Sequence, residues 1–283
     1  MQKDKAFFAE SLAVKVAACK KDGDFANALE FVLPYEKFCC QLAEKIIRKS
    51  AGLFLIKEAE RIQGIFYFKE KTTLLCCLPK KRKKIAQALS DFFCGKSIFA
   101  LAGKDDYIEF LQKTLSLSPK EKRTFFLMSQ KKKVCTSNTS PFQKDLVSCC
   151  KKDASNLMPL HTGFFKEEVL PPGKEVYVPS LLSELEKLLQ KQKMLAVKKD
   201  GIFVAKVQTN ASSKNFIQIG GVYTLPQYRK KGYAEFLTRT IAKEIRSQEK
   251  TPILFVRKEN SSAIALYKKC GFKSYGTFCF VYC

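Results

Sequence analysis

The sequence predicts an α/β fold made of two similar halves, each with strands and helices that alternate along the chain. Apolar residues at strand and helix spacing run through residues 35–128 and return in the same order through residues 180–282. The motif Leu-Pro-x-x-Arg-Lys-Lys begins at Leu78 and again at Leu225, both times between a predicted strand and a predicted helix. We interpret the halves as an internal duplication.

The first half contains helices and strands whose bounds follow from apolar spacing and turn residues. The predicted helices cover residues 35–49, 82–93 and 105–116, and the predicted strands cover 53–56, 62–68, 73–78, 97–102 and 123–128. Before them, helical spacing of Phe7, Phe8, Leu12 and Val16 predicts an N-terminal helix instead of a secretion signal. We assign residues 1–130 to one domain.

The second half repeats this pattern. The predicted helices cover residues 180–192, 232–247 and 260–269, and the predicted strands cover 195–198, 202–208, 216–224, 253–257 and 276–282. Residues 131–160 contain a lysine run and a Ser/Thr/Asn cluster, which are typical of a connector. The second domain is therefore predicted over residues 161–283.

The chain is strongly basic but has no basic tail. It carries 51 Lys and Arg against 27 Asp and Glu in 283 residues, a formal charge of +24. The halves share this charge evenly, whereas nucleic-acid binders concentrate it on one face or tail. The densest run of basic residues, Lys80–Lys84, lies at the N-terminus of a predicted amphipathic helix. We interpret it as the solvent-exposed first turn of that helix. Nucleic acid is therefore a secondary candidate partner.

Hydropathy and cysteine usage indicate a cytoplasmic protein. No apolar run approaches the ~20 residues that cross a bilayer, so no membrane partner is expected. The 12 cysteines include no C-x-x-C, and His161 is the only histidine in the sequence, so no metal is expected. We expect most of the cysteines to be buried and reduced.

A phosphate-binding loop is predicted where the strand 216–224 gives way to the helix 232–247. Residues 229–234 at this junction read Arg-Lys-Lys-Gly-Tyr-Ala. Unpaired N–H groups and the helix dipole favour an anion at a helix N-terminus. Gly232 and Ala234 are small enough to let a phosphate approach the backbone.

A second motif follows the strand 253–257. It reads Asn260-x-x-Ala263-x-x-Leu266-Tyr267-x-x-x-Gly271-Phe272. Over residues 195–283, the order of the two motifs resembles the GNAT superfamily of acyl-CoA-dependent N-acetyltransferases. The resemblance implies tandem GNAT-like folds, each a mixed, mostly antiparallel sheet flanked by helices. In the C-terminal copy, it implies a sheet splayed between 216–224 and 253–257, with acetyl-CoA in the cleft.

The resemblance assigns residues to the two parts of acetyl-CoA. The pyrophosphate would be bound by Arg229, Lys230, Lys231, Gly232, Tyr233 and Ala234. The pantetheine arm would pair with the backbone of Val222, Tyr223 and Thr224. An amide of that backbone would also polarise the thioester carbonyl.

For two side chains of the second motif, the resemblance implies a functional role, and a purely structural role is the alternative. Asn260 matches a pantetheine contact, and it is also a good N-cap for the helix that follows. Tyr267 matches the general acid that protonates the CoA thiolate, and the alternative is a core tyrosine on an amphipathic helix.

Many members of the superfamily use a glutamate on or beside the strand before the bulge as the general base, and this sequence has none there. An amine with a pKa near 10.4 must lose a proton before it attacks at neutral pH. The strand residues 215–220 contain no carboxylate. Glu167 and Glu168, flanked by aromatic residues, are the candidates to attract the amine or accept its proton, and the alternative is a solvent-facing acidic pair.

The first half resembles a disabled copy of the second. Ile85 and Gln87 stand where Gly232 and Ala234 stand 147 residues later, and their side chains would keep a phosphate away. We therefore expect one acetyl-CoA per chain, bound by the second half, with the first half as scaffold.

The sequence favours direct transfer of the acetyl group from acetyl-CoA to a primary amine. No acyl-enzyme is expected because Cys270 and Cys279 have no neighbouring histidine. Two alternatives stay open: a non-catalytic acetyl-CoA sensor or scaffold, and an RNA-associated acetyltransferase. The acceptor and the oligomeric state are not specified by the sequence.

Overall fold

A computed structural model describes residues 13–130, 140–170 and 177–283 of the chain. Packing divides the chain into two compact units. The first unit consists of the residues up to Phe125 together with Thr277–Cys283, and the second is Phe126–Gly276. The domain boundaries drawn from the sequence, at 1–130, 131–160 and 161–283, remain a prediction.

The first half of the chain alternates strands and helices. Its elements are β1 (Val14–Ala18), α1 (Asp22–Val32), α2 (Cys40–Ile47), β2 (Leu53–Glu58), β3 (Arg61–Tyr67), β4 (Thr73–Cys77), α3 (Lys83–Phe93), β5 (Ala100–Lys104), α4 (Asp105–Thr114) and β6 (Glu121–Ser129).

The second half continues with further strands and helices. They are β7 (Leu146–Ser148), α5 (Ala154–Phe164), α6 (Val178–Lys191), β8 (Met194–Lys199), β9 (Ile202–Ser212), β10 (Phe216–Thr224), α7 (Tyr233–Arg246), β11 (Thr251–Arg257), α8 (Ser261–Lys269) and β12 (Lys273–Tyr282). A turn of π-helix, Phe165–Val169, directly follows α5.

The predicted tandem α/β fold is confirmed. The series β2-β3-β4-α3-β5-α4-β6 recurs as β8-β9-β10-α7-β11-α8-β12. Apart from the parallel pairs β4/β5 and β10/β11, the strand pairs whose register is defined are antiparallel. In the second unit, the core between α7 and the sheet includes Leu237, Ile241, Val204 and Leu254. A second cluster, with Leu157, Leu160 and Leu185, packs α5 and α6 onto the other face.

Each unit contains strand residues from the other half of the sequence. In the first unit, β12 pairs antiparallel with β5, from Phe278 with Lys104 to Tyr282 with Ala100. In the second unit, the end of β6 lies beside β11. The terminal strand predicted at 276–282 therefore exists, but it completes the sheet of the first unit.

One prediction of local structure is wrong. Val16 was assigned to an N-terminal helix, but it lies in β1, where pairing with Ile56 of β2 outweighs the weak helical spacing; residues 1–12 lie outside the described residues. The predicted connector 131–160 contains β7 and the start of α5, because Leu157 and Leu160 belong to a core. Its residues 131–139 are likewise outside the described part.

The described residues contain neither a membrane-spanning helix nor a metal-binding cluster. No helix among them is long and apolar enough to cross a membrane. No group of three or more His, Cys, Asp or Glu side chains among them could hold a metal ion.

The exchange of β12 predicts that a change near the C-terminus destabilises the first unit. Val281 is fully buried and pairs with Leu101 of β5. Val281→Ala should lower the free energy of unfolding by about 2 kcal/mol, because it leaves a cavity. Denaturant titration measures the loss, and hydrogen exchange should locate it in β5.

The matched control is Ile202→Ala, which removes methyl groups from a side chain that is 54% exposed. That variant should change stability by less than about 0.5 kcal/mol. Unchanged protection of the β5 amides in Val281→Ala would contradict the role of β12 in the first unit.

Candidate active site

The second unit contains an opening between two parallel strands. β10 and β11 pair from Phe216 with Thr251 to Ile219 with Leu254. β10 then continues to Thr224 without a partner residue in β11. The splay predicted between these two strands is therefore confirmed.

A bulge in β10 lies at the point where the strands part. The register with β9 pairs Gly220 with Gln208 and then Tyr223 with Lys206, which leaves Gly221 and Val222 without partner residues. Gly221 has φ +58°, and a Cβ there would lie 2.5 Å from Cδ of Gln208. The bulge therefore requires glycine at this position.

A row of polar side chains on β9 packs against the bulge. Lys206 Nζ donates to Gly221 O and to Gln208 Oε1, each at 3.0 Å, and Gln208 Nε2 donates to Asn210 Oδ1 at 3.1 Å. Lys206 is fully buried. Burial lowers the pKa of Lys206 to about 7, against a small opposing effect of Cys149.

The predicted phosphate loop has the geometry of an anion site. Gly232 caps α7 with φ +88°, in the left-handed region, and α7 begins at Tyr233. The first N–H groups of α7 therefore have no carbonyl of a preceding turn to bind. Lys231 Nζ lies 5.2 Å from the ring centroid of Tyr228, so its charge stays beside this helix end.

The side chain of Arg229 is bound to Glu167. Its Nη2 lies 2.8 Å from each carboxylate oxygen, and its Nε donates to Thr224 O at 3.1 Å. Tyr223 donates its hydroxyl to the same carboxylate at 2.6 Å. The carboxylate of Glu167 thus links the phosphate loop to the strand with the bulge.

The hydrogen bonds also set the pKa values of this cluster. Burial disfavours the charge of Glu167, but hydrogen bonds from Tyr223 and Arg229 and the charge of Arg229 outweigh it and lower the pKa of Glu167. Burial, the bond to Glu167 and its charge raise the pKa of Tyr223 to about 12. Glu167 is therefore ionised and Tyr223 protonated at neutral pH.

Asn260 performs the capping role that was its structural alternative. Its Oδ1 accepts from Ala263 N and from Ser262 Oγ, each at 3.0 Å. Its Nδ2 donates to Glu168 Oε1 at 3.0 Å. The turn Phe165–Val169 therefore brings Glu168 to the N-terminus of α8, while Glu167 binds Arg229.

Tyr267 is a buried tyrosine that Glu168 influences. It is 8% exposed and its ring meets that of Phe272 edge to face at 6.2 Å. Burial, then the charge of Glu168 and then Cys270, raise the pKa of Tyr267 well above its usual value. Its hydroxyl therefore carries its proton through the neutral range.

The structure brings most of the predicted site residues of the second half to one end of β10. Glu167, Tyr223 and Arg229 form one hydrogen-bonded cluster, and Glu168 and Asn260 form another. Sequence reasoning missed the row on β9 that supports the bulge. Its signal was available, because Lys206, Gln208 and Asn210 place polar side chains at every second position of a largely apolar strand.

The corresponding strands of the first unit part next to buried side chains. β4 and β5 pair from Thr73 with Ala100 to Leu75 with Ala102, and the strands then part as β10 and β11 do. The side chains beyond are buried: Cys39, Cys76, Cys77 and Tyr107. Ile85, at the position of Gly232, is fully buried as well. These side chains are what the interpretation of a disabled copy requires.

The densest basic run is largely paired within the first unit. Arg82 binds Glu58 at 2.6 Å, and Lys81 binds Asp106 at 2.5 Å. Lys80 donates to Gln63 at 3.1 Å. Less of its charge is therefore left for a polyanion than the sequence indicates.

Comparisons with known proteins agree with this geometry. A family model described as FR47-like protein matches residues 193–281. A tandem GNAT protein from the clavulanic acid biosynthesis pathway superposes with a TM-score of 0.61 at 9% identity, covering 95% of this chain and 97% of its own. The chain has a tandem GNAT fold.

Further solved structures match this chain over nearly their whole length. A Drosophila protein matches with a TM-score of 0.64 at 12% identity, covering 96% of this chain and 99% of its own. A GNAT-family acetyltransferase from Colwellia psychrerythraea matches with a TM-score of 0.57 at 11% identity, covering 95% and 100%. No curated protein matches the chain.

The bulge predicts that Gly221→Ala is costly. The change places a side chain in the left-handed region and against Gln208, so it should lower the free energy of unfolding by about 2–4 kcal/mol. Gly201→Ala is the matched control, since Gly201 has φ +82° but open space around it.

Gly201→Ala should cost only the backbone term, about 1 kcal/mol. Denaturant titration of the two variants measures the difference. Equal losses would mean that Gln208 does not press on the bulge.

Proposed function

We propose that the chain is an N-acetyltransferase that transfers the acetyl group of acetyl-CoA directly to a primary amine. One observation carries this proposal: β10 and β11 part after Ile219 and Leu254, and the loop at the end of β10 leads into a helix N-terminus capped by Gly232. A bound thioester can lie in such an opening while its diphosphate docks on the helix.

The phosphate loop would bind the pyrophosphate through backbone and charge. The N–H groups of residues 232–234 supply the donors, with Lys230 and Lys231 beside them. Arg229 is ion-paired to Glu167 and would contribute by holding the loop against Thr224. Val222, Tyr223 and Thr224 would pair with the pantetheine arm, and Asn260 would meet it at the start of α8.

The chemistry would proceed through one tetrahedral intermediate. The amine attacks the thioester carbonyl, an N–H of the bulge stabilises the oxyanion, and the carbon–sulfur bond then breaks. Tyr267 would protonate the departing thiolate, since its raised pKa keeps the proton available.

Direct transfer is favoured over an acyl-cysteine intermediate. Cys270 is fully buried, and burial raises the pKa of its thiol to about 11. Cys279 belongs to the first unit, where burial and a hydrogen bond with Asp105 raise its pKa to about 12. Neither thiol supplies a thiolate at neutral pH.

Glu167 and Glu168 would have different roles toward the amine substrate. The lowered pKa of Glu167 makes it a poor proton acceptor, so it would attract the cationic amine and hold Arg229. Glu168 lies at the start of α8 and raises the pKa of Tyr267, so it would accept the proton of the amine.

A second candidate function is a non-catalytic acetyl-CoA sensor or scaffold. The observation in its favour is that the β10 residues before the bulge include no carboxylate, while the Asn260 amide already binds Glu168. Tight binding of acetyl-CoA without transfer to any amine in a broad panel would select this function. The cytoplasmic location remains a prediction.

The proposal predicts one acetyl-CoA per chain. Gly232→Glu should raise the Kd by about a hundredfold or more, because it places a carboxylate where the phosphate docks. Titration calorimetry measures both the Kd and the number of sites.

Lys83→Glu is the matched control, since Lys83 lies at the equivalent position of Lys230 in the first half and is exposed. This variant should bind as the wild type does. Two sites per chain, or binding that survives Gly232→Glu in a folded protein, would refute the assignment.

If Tyr267 is the general acid, its removal should affect turnover but not the binding of acetyl-CoA. Tyr267→Phe should lower kcat by about 10²- to 10⁴-fold and leave the Kd of acetyl-CoA nearly unchanged, because only the proton donor is lost. Steady-state kinetics and calorimetry give the two numbers. Tyr35→Phe, in the first unit, serves as the control, and a wild-type kcat in Tyr267→Phe would remove the acid role.

A further inference from the structure

The peptide between Gly221 and Val222 is held from one side by a single lysine. Lys206 Nζ donates to Gly221 O at 3.0 Å. The peptide bond is trans, since the described residues include no cis peptide bonds. In a planar trans peptide, the N–H points opposite to the C=O. The N–H of Val222 therefore points away from Lys206 Nζ, and Val222 has no partner residue in the registers with β9 and β11.

The lysine occupies a place where an apolar side chain would be easier to bury. Lys206 is fully buried, and its Nζ lies 4.9 Å from the ring centroid of Phe164 on α5. Transferring an ammonium group from water to such a site is unfavourable unless partners compensate. Its hydrogen-bond partners are Gln208 Oε1 and the carbonyl of the bulge. Within the described residues, the only backbone group that the side chain of Lys206 binds is thus the peptide next to the opening.

We infer that Lys206 is a positioning residue that fixes the Gly221–Val222 peptide with the Val222 N–H directed into the opening, where that N–H stabilises the thioester oxyanion. The inference rests on the proposed function for its chemical consequence. Its structural part, the orientation of one peptide, stands by itself.

Two physical effects would follow from the contact. A donor at the carbonyl oxygen polarises the peptide and strengthens its N–H as a donor. The contact also blocks an alternative orientation, which the backbone would otherwise allow because both Gly220 and Gly221 lack a Cβ. A preoriented donor needs no reorganisation when charge develops on the oxygen.

The protonation of Lys206 can be followed without interference from its neighbours. The titratable groups that face it are His161 on α5, Cys149 before α5, and Tyr223, which pairs with Lys206 in the register between β10 and β9. Burial and the charge of Lys206 lower the pKa of His161 to about 3. Burial, then Asp153 and Cys150, raise the pKa of Cys149 to about 12. The pKa of Tyr223 is likewise raised to about 12, so all three groups are uncharged near pH 7.

The sequence offers a probe for this one peptide. Gly-Val occurs only once in the chain, at Gly221–Val222. Protein labelled with ¹³C at the glycine carbonyl and with ¹⁵N in valine therefore gives a single cross-peak in a carbonyl–amide correlation spectrum. In the wild type, this cross-peak should move with a midpoint near pH 7. In Lys206→Met, it should be displaced and should not move in that range.

Lys198→Met is the matched control, since Lys198 is an exposed lysine on the neighbouring strand β8. Its cross-peak should match that of the wild type. A cross-peak that lies at the wild-type position in folded Lys206→Met would overturn the inference, because that variant removes the hydrogen bond to Gly221 O.

Kinetics test the chemical consequence. Lys206→Met should lower kcat by about tenfold to a hundredfold and leave the KM for acetyl-CoA within about twofold, because the donor acts on the transition state. Lys206→Arg, which keeps a cationic donor, should recover part of the loss. A displaced cross-peak with an unchanged kcat would overturn the catalytic part of the inference. The wild-type cross-peak could also move with pH in a protein that shows no transferase activity. That result would refute the proposed function, but it would support the inferred orientation of the peptide.

Discussion

The candidate site depends on one constraint, the end of pairing between β10 and β11 after Ile219 and Leu254. Because the strands part there, the backbone of residues 220–224 has no partner residue in β11. Helix α7 follows β10 and helix α8 follows β11, and the N-terminus of each is the electropositive end of its helix. An anionic, extended ligand fits an opening of this kind better than a compact apolar one.

The bulge at which the strands part is supported from the neighbouring strand β9. Gln208 and Asn210 pack so closely on Gly221 and Gly220 that a Cβ at either glycine would overlap them. Lys206 adds a hydrogen bond to the bulge. The second unit thus places polar groups where apolar ones would pack more favourably, which is the usual cost of a preorganised site.

The sequence predicted the repeated order of elements, because amphipathic helices and short apolar strands have distinct spacing. It also placed Gly232 at the start of a helix, because a glycine that follows basic residues between a strand and a helix can be recognised from the local sequence. It did not predict that β12 completes the other sheet, because strand pairing across the chain leaves no local pattern. Val16 was misassigned because its partner Ile56 lies 40 residues away. Lys206 was overlooked because a lysine in a strand ordinarily faces water.

The place of β12 has a consequence for biosynthesis. The sheet of the first unit lacks the strand beside β5 until residues 277–283 have left the ribosome. At roughly 5–20 residues per second, translation from β5 to that segment takes on the order of ten seconds or more. During this interval, the nascent chain presents the open edge of β5, with Leu101 and Ala102, to other chains. Cellular yield should therefore depend on translation speed and on chaperones that cover strand edges.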